Sequence, residues 1–170
     1  MTGVYVNHLM ASEHPQEDPV ANELNTAQRI EHVIRAYVEA LNSADADGIA
    51  ACFCQDADHY FPAQPKRTGA AVLGAYFANI VRQRQVSWTV DQVLVDADRC
   101  AAALEWTLFE PKATRYLIRG VDWFVLDPRT IQFREVRTYV ATPDNRDRPR
   151  QELQDFDYEG RGYPARPPSE

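Results

Sequence analysis

Apolar residues recur at Ile30, Val33, Ile34, Tyr37, Val38 and Leu41, the three-and-four spacing that gathers them on one face of a helix. Asn25 or Thr26 can cap its start. Asp45 can cap a second, shorter helix running through Ile49, Cys52 and Phe53, and Thr68 a third whose buried face is Val72, Leu73, Tyr76, Phe77, Ile80 and Val81. Between those two helices a strand enters through His59 and Phe61. From Val86 the pattern turns to segments rich in β-branched and aromatic residues, at 86–95, 100–109, 115–126 and 131–141, separated by DADR, EPKAT and DPRT turns. Successive strands with short connections are most simply antiparallel, so the pattern predicts an α+β domain with helices on one face of a curved sheet. No repeat or linker divides it. The domain spans 26–141, between a polar leader (1–25) and a C-terminal extension (142–170).

Alternation along a strand sorts its side chains onto two faces. Over 115–126 one face receives Tyr116, Ile118, Gly120, Asp122 and Phe124, and the other Arg115, Leu117, Arg119, Val121 and Trp123. Asp122 thus stands on a face that is otherwise apolar or glycine, where an ionised carboxylate is costly unless paired. Two states follow: a carboxylate ion-paired with Arg134 across the strands, or a neutral acid able to donate a hydrogen bond. In the preceding strand Leu104, Trp106 and Leu108 form an apolar row opposite Glu105 and Thr107. The last strand sends Arg134, Val136 and Thr138 one way and Phe133, Glu135, Arg137 and Tyr139 the other.

Composition narrows the setting. At 170 residues, 45% of them hydrophobic and eighteen aromatic, the chain can bury one core. Its net charge of -7 argues against a nucleic-acid or anionic-membrane partner, which would require surplus Lys and Arg. No apolar run approaches the roughly 18 residues of a membrane span, and the N-terminus lacks a basic start followed by an apolar stretch, so a cytoplasmic protein is expected. Cys52, Cys54 and Cys100 fall in segments read as helix, helix and strand, which suits reduced core thiols. Cys52 and Cys54, two apart on a helix, point in different directions and with Asp58 and His59 make no metal geometry. No metal is expected, and Asp56 and Asp58 read as turn or capping residues.

The segment YVEALNSADADGIAACFCQDA leading into a strand that ends at Pro62, the helix start TGAAVLGAYF, and VDWFVLD followed by FREVRTYV resemble the NTF2-like superfamily, in its SnoaL-like and ketosteroid-isomerase-like branch. The likeness covers about 26–140. It implies a cone-shaped, curved antiparallel sheet of cystatin-like type with three N-terminal helices enclosing a pocket, commonly in a homodimer through the outer sheet face. Members include isomerases, polyketide cyclases, dehydratases and epoxide hydrolases as well as binding proteins, so the fold alone does not fix the function.

Carried over residue by residue, the resemblance places Tyr37 and Asp122 where the isomerases use a tyrosine and a protonated aspartic acid to bond a substrate carbonyl. The position of the isomerase base falls on Phe61, which cannot take a proton. His59, two residues earlier on the same strand face, is the nearest titratable replacement. The epoxide-hydrolase Arg and two Asp positions are occupied by Trp106, Leu108 and Thr138, which argues against that chemistry. The expected pocket wall is Phe61 with the inward rows Leu104, Trp106 and Leu108; Tyr116, Ile118 and Phe124; and Arg134, Val136 and Thr138. Each candidate has a plainer reading: Tyr37 as a core aromatic, His59 bonding a backbone carbonyl, Trp106 as wall. The expectation is a cofactor-independent isomerase, dehydratase or cyclase acting on an apolar, carbonyl-bearing small molecule, with a non-catalytic binding protein as the alternative.

Two features point outward. The outer face carrying Trp123, Arg119, Glu105 and Tyr139 reads as a homodimer interface with an apolar centre and polar rim. In the extension, Phe156, Tyr158 and Tyr163 within eight residues suggest a segment docked on the barrel or on a partner subunit.

Overall fold

A computed structural model describes residues 24–62, 64–112, 116–141, 150–153 and 155–167. Helix α1 (Thr26–Asn42) opens with a capping box: the Asn25 side chain accepts from the Gln28 N–H, and the Gln28 side chain accepts from the Asn25 N–H, both at 2.9 Å. Its buried stripe is Ile30, Ile34, Tyr37, Val38 and Leu41. Helix α2 (Ala46–Ala51) is capped by Asp45, as the sequence suggests, but stops at Ala51. Strand β1 (Phe53–Phe61) therefore begins earlier than expected, placing Phe53 and Cys54 in a strand. The buried ring of Phe53 packs against Tyr37 and Phe133, a site a helical position would not reach.

Strand β2 (Gln64–Thr68) has no counterpart in the sequence reading, because QPKRT shows no apolar alternation. Thr68 lies in this strand and accordingly does not cap α3 (Ala70–Arg84). The cap is Gly69, whose φ of 103° lies in a region that L side chains rarely adopt. Strands β3 (Ser87–Asp96), β4 (Ala101–Phe109), β5 (Leu117–Leu126) and β6 (Phe133–Val140) follow, with a two-residue β7 (Arg150–Gln151). Strand order is β2-β1-β6-β5-β4-β3, curved and unclosed, an NTF2-like, cystatin-like α+β architecture. The sheet is mixed: β1 runs parallel to β6 and β7 parallel to β5, with the other pairs antiparallel.

Helix α1 is pinned to the sheet by Asn42, whose side chain donates to the Trp88 carbonyl (2.9 Å) and accepts from the Trp88 N–H (2.7 Å). Residue faces on β5 alternate as expected, but β6 does not keep step. A bulge at Arg134 sets two residues of β6 against one step of β5, turning Phe133 inward and Arg134 outward. Arg134 consequently pairs with Asp127 at 2.8 Å, and the proposed Asp122–Arg134 ion pair does not exist. Asp56 and Asp58 lie within β1, where Asp58 binds Lys66 and Thr68 across the β1–β2 pair. All three cysteines are free thiols. Cys52 caps α2, Cys54 lies in β1, and Cys100 ends the turn before β4.

The C-terminal residues dock on the outer sheet face of their own chain. Glu152 binds Arg119 (3.0 Å), the Tyr163 hydroxyl donates to Glu105 (2.5 Å), and the Arg119 guanidinium sits 4.2 Å from the Tyr158 ring centroid. Phe156, Tyr158 and Tyr163 pack on one another. Arg119 and Glu105, expected at a dimer interface, are therefore occupied by the extension, while Trp123 and Tyr139 stay exposed. Among the described residues, no helix is long and apolar enough to cross a membrane.

Candidate functional site

A cavity of about 250 Å³ lies between α1, α3 and the inner sheet face. Its wall is largely apolar, with a polar cluster at the deep end formed by Tyr37, His59, Asp122 and Thr138 and further polar side chains from Gln64, Arg84 and Gln151. Three strands and α1 bring that cluster together. Register sets Asp122 opposite Thr138, and His59 in β1 lies beside Val136, two residues from Thr138 in β6. The Thr138 hydroxyl donates to Asp122 Oδ1 at 2.6 Å and lies 2.8 Å from His59 Nε2. A hydroxyl has one proton to give. With that proton on Asp122, Thr138 accepts from His59 Nε2–H, and His59 Nδ1 presents a lone pair. That nitrogen is buried and has no partner among the described residues.

Electrostatics follow from burial. Burial first, and the positive charge of Arg67 second, lower His59 to about 3, so the ring is neutral at physiological pH. Burial raises Asp122 to about 6, opposed by hydrogen bonding from Thr138 and then from the Trp106 indole. The indole Nε1 nonetheless makes no well-aligned hydrogen bond, so its N–H lies close to Asp122 without being committed to it. Tyr37 is raised well above 10 by burial, then by Asp122, then by Cys52, and remains a neutral donor. It is held edge-on by Phe53, Phe77, Phe124 and Phe133. Phe61, in place of a carboxylate, stacks on His59 at 4.1 Å and 8° and fixes the plane of the imidazole.

Of the expected wall, Phe61, Trp106, Leu108, Ile118 and Thr138 line this cavity. Leu104, Phe124 and Val136 face the same way but are packed into the core beneath α1. Tyr116 precedes β5 and is exposed, and Arg134 is turned out by the bulge. Sequence reasoning missed the lining residues Leu41, Pro62, Gln64, Tyr76, Phe77, Ile80, Arg84, Trp88, Val140 and Gln151. Trp88 stands opposite Leu108 only because a register shift between Val90 and Gln92 moves the β3–β4 pairing by one residue, which alternation cannot count. Gln151 carried no signal. A larger cleft of about 800 Å³ opens outside the ends of β1 and β6, but its charged lining is the half-buried Glu135–Arg137 ion pair, in which the two charges neutralise each other, so the smaller cavity is the better candidate site. No group of three or more His, Cys, Asp and Glu that could hold a metal ion occurs among the described residues.

Three solved structures share this architecture. A protein of unknown function with a cystatin-like fold from Methylobium petroleophilum is 35% identical, with a TM-score of 0.66 over 85% of this chain and 96% of its own. That share exceeds what 26–141 can supply, so the match extends beyond the central domain. SalBIII, an epoxide hydrolase/cyclase-like enzyme in pyran ring formation in the polyether salinomycin, is 24% identical over 66% of this chain and 91% of its own (TM-score 0.58). A candidate ketosteroid isomerase from Kribbella flavida is 17% identical over 70% of this chain and 82% of its own (TM-score 0.57). The latter two likenesses speak to fold alone. The model of the SnoaL-like domain matches residues 34–131, which run from α1 through the β5–β6 turn and carry Tyr37, His59 and Asp122, so the chain belongs to the SnoaL-like family.

Proposed function

We propose that this protein is a cofactor-independent enzyme that moves a proton beside the carbonyl of an apolar small molecule. The observation that carries the reading is the His59–Thr138–Asp122 chain of two hydrogen bonds at the deep wall of a largely apolar cavity. His59 alone is too weak a base, being held near 3, whereas Asp122 near 6 is well matched to neutral pH. The chain joins them. Nδ1 takes the proton from the substrate carbon, Nε2 passes its proton to Thr138 Oγ1, and Thr138 gives its own to the Asp122 carboxylate. The imidazole ends neutral with its tautomer exchanged, and the charge lost by Asp122 reappears on the substrate oxygen. Tyr37 donates a hydrogen bond to that oxygen as the enolate forms.

This gives Asp122 a different task from the one the resemblance implies: it is the terminus of the base at neutral pH and a neutral acid only below about 6. Isomerisation, dehydration and aldol-type ring closure all begin with such a step, and ring formation and ketosteroid isomerisation are the activities named for SalBIII and the Kribbella flavida neighbour. The same reading includes a homodimer through the part of the outer face that the extension leaves open, where Leu94, Ala103 and Trp123 stand in one row across β3, β4 and β5.

The test is deuterium incorporation into a β,γ-unsaturated cyclic ketone in heavy water, followed by proton NMR. Catalysed exchange should rise with pH to a plateau above about 6, because the carboxylate is the competent form. Thr138→Val should lower it on the order of a hundredfold, the scale of a positioned acid–base group. Binding of the ketone without catalysed exchange would sink the enzyme reading in favour of a binding protein.

A further inference from the structure

Strand β6 ends at Val140, opposite Gly120, so the edge of β5 at Leu117 and Ile118 is left without a partner on that side. Strand β7, from the C-terminal extension, takes the place: Leu117 pairs with Arg150 and Ile118 with Gln151. An open edge next to a cavity would expose unpaired backbone groups, and two residues suffice to cover it. Alternation then turns Gln151 inward while its neighbours Arg150 and Glu152 face the outer side. There Glu152 is bound by Arg150 (2.9 Å) and by Arg119 (3.0 Å). Gln151 is thus flanked on both sides by anchored residues; it is buried and lines the cavity.

The register gives its depth. Trp88, Leu108, Ile118 and Gln151 form one continuous row across β3, β4, β5 and β7, and all four line the cavity. Asp122 lies four residues further along β5, about 13 Å away at the usual rise of a strand. Within this row and along β5, Gln151 and the Asp122 cluster are therefore separated by the apolar surface of Trp106, Leu108 and Ile118. The charged lining side chain outside the deep cluster, Arg84, is neutralised by a two-pronged ion pair with Glu110. A carboxylate arriving there finds no free cation among the described lining residues, whereas an amide both donates to and accepts from a neutral group.

We infer that Gln151, supplied by the C-terminal extension, is a specificity-determining residue that selects elongated substrates carrying a second, neutral hydrogen-bonding group at the end remote from the reacting carbonyl. This rests on the proposed function of the deep end, where the carbonyl binds. The product of such an enzyme would retain a hydroxyl, ketone or carboxamide far from the reaction centre. Sequence could not have shown it, because two residues in a polar extension carry no strand pattern.

The test uses two rigid phenols of similar length: trans-stilbene with a para hydroxyl on both rings, and trans-stilbene with a para hydroxyl on one ring. Affinities are measured by fluorescence titration of the full chain. The wild type should prefer the diphenol by about fivefold, the worth of one neutral hydrogen bond. Gln151→Met, nearly the same size and apolar, should remove that preference by weakening the diphenol relative to the monophenol. Tyr37→Phe should weaken both compounds alike. Equal wild-type affinities, or a preference that survives in Gln151→Met, overturns the inference and leaves the deep end standing. If neither stilbene binds, or Tyr37→Phe changes nothing, the reading of the deep end fails and takes this one with it. Should Gln151→Met fold poorly, the wild-type comparison still decides, since the preference must exist before any residue can confer it.

Discussion

His59 and Asp122 are both buried, and burial moves their titrations in opposite directions. Asp122 keeps its proton to about 6 in the folded chain, against an ordinary 3.8, so between those values the native state binds more protons than the unfolded one. Its contribution to stability is full below 3.8 and is lost as pH rises through 6. His59 does the reverse: unfolded it protonates near 6.5, folded only near 3, so its contribution is lost as pH falls from 6.5 towards 3. Between about pH 4 and 6 the two slopes oppose each other. Removing either group should uncover the other. Relative to wild type, Asp122→Asn should lose stability on acidification from pH 6 to 4, and His59→Gln should gain it, as read from urea midpoints at each pH. Parallel slopes in the two variants would mean that at least one of these titrations is misplaced. In the proposed reaction the same opposition makes the two residues complementary: Asp122 is matched to neutral pH but bonded to Thr138, and His59 has the unpartnered nitrogen but too little basicity.

At the scale of elements, the site depends on how closely β4 and β5 approach where Trp106 faces Gly120. A Cβ at Gly120 would overlap the Trp106 ring and crowd the Tyr139 carbonyl, so the glycine lets the indole lie across β5 towards Asp122. Gly120→Ala should cost roughly 1 to 3 kcal/mol, as overpacking does, and should shift the fluorescence of Trp106 while leaving the secondary structure intact. An unchanged emission spectrum and thermal midpoint would show that the ring has another place to go. That contact was not legible in the sequence, although much around it was. Period-2 alternation placed Asp122, Trp106 and Ile118 on the inner face because β4 and β5 pair without interruption over their shared length. The same reasoning failed for Arg134 because a bulge adds a residue that alternation cannot count. It also overstated the pocket: Leu104, Phe124 and Val136 share the inner face, but whether such residues line a cavity or fill a core depends on where α1 rests, which is a tertiary fact. Strand β2 was missed for a different reason. It is an edge strand of polar residues, held by pairing with β1 and by Asp58, with no buried face to leave a pattern.

At the scale of the whole molecule, the outer sheet face is divided between two uses. One half is covered by the chain itself: Asp91, Thr107 and Arg119 form a buried polar cluster, closed from outside by Glu152, Tyr158 and the Pro164 carbonyl. Ion pairs of this kind cost desolvation and secure position more than they stabilise, so the attraction comes mainly from burying Leu117 and Tyr158. The other half, with Leu94, Trp123 and Tyr139 exposed, is free to meet a second copy. A chain ending at Ala141 separates the two. It loses β7 and the docked aromatics, so it should be less stable by about 3 to 6 kcal/mol, the worth of burying two such side chains. It should also lose the discrimination assigned to Gln151. Its mass by light scattering should remain that of a dimer, as should that of the full chain, because the open half of the face is untouched. Trp123→Glu in the full chain should then yield monomers while keeping the extension docked, as judged by the thermal midpoint. If the full chain is monomeric, the exposed tryptophan has no partner of its own kind. If truncation alone abolishes the dimer, the extension and not the Trp123 row holds the two copies together.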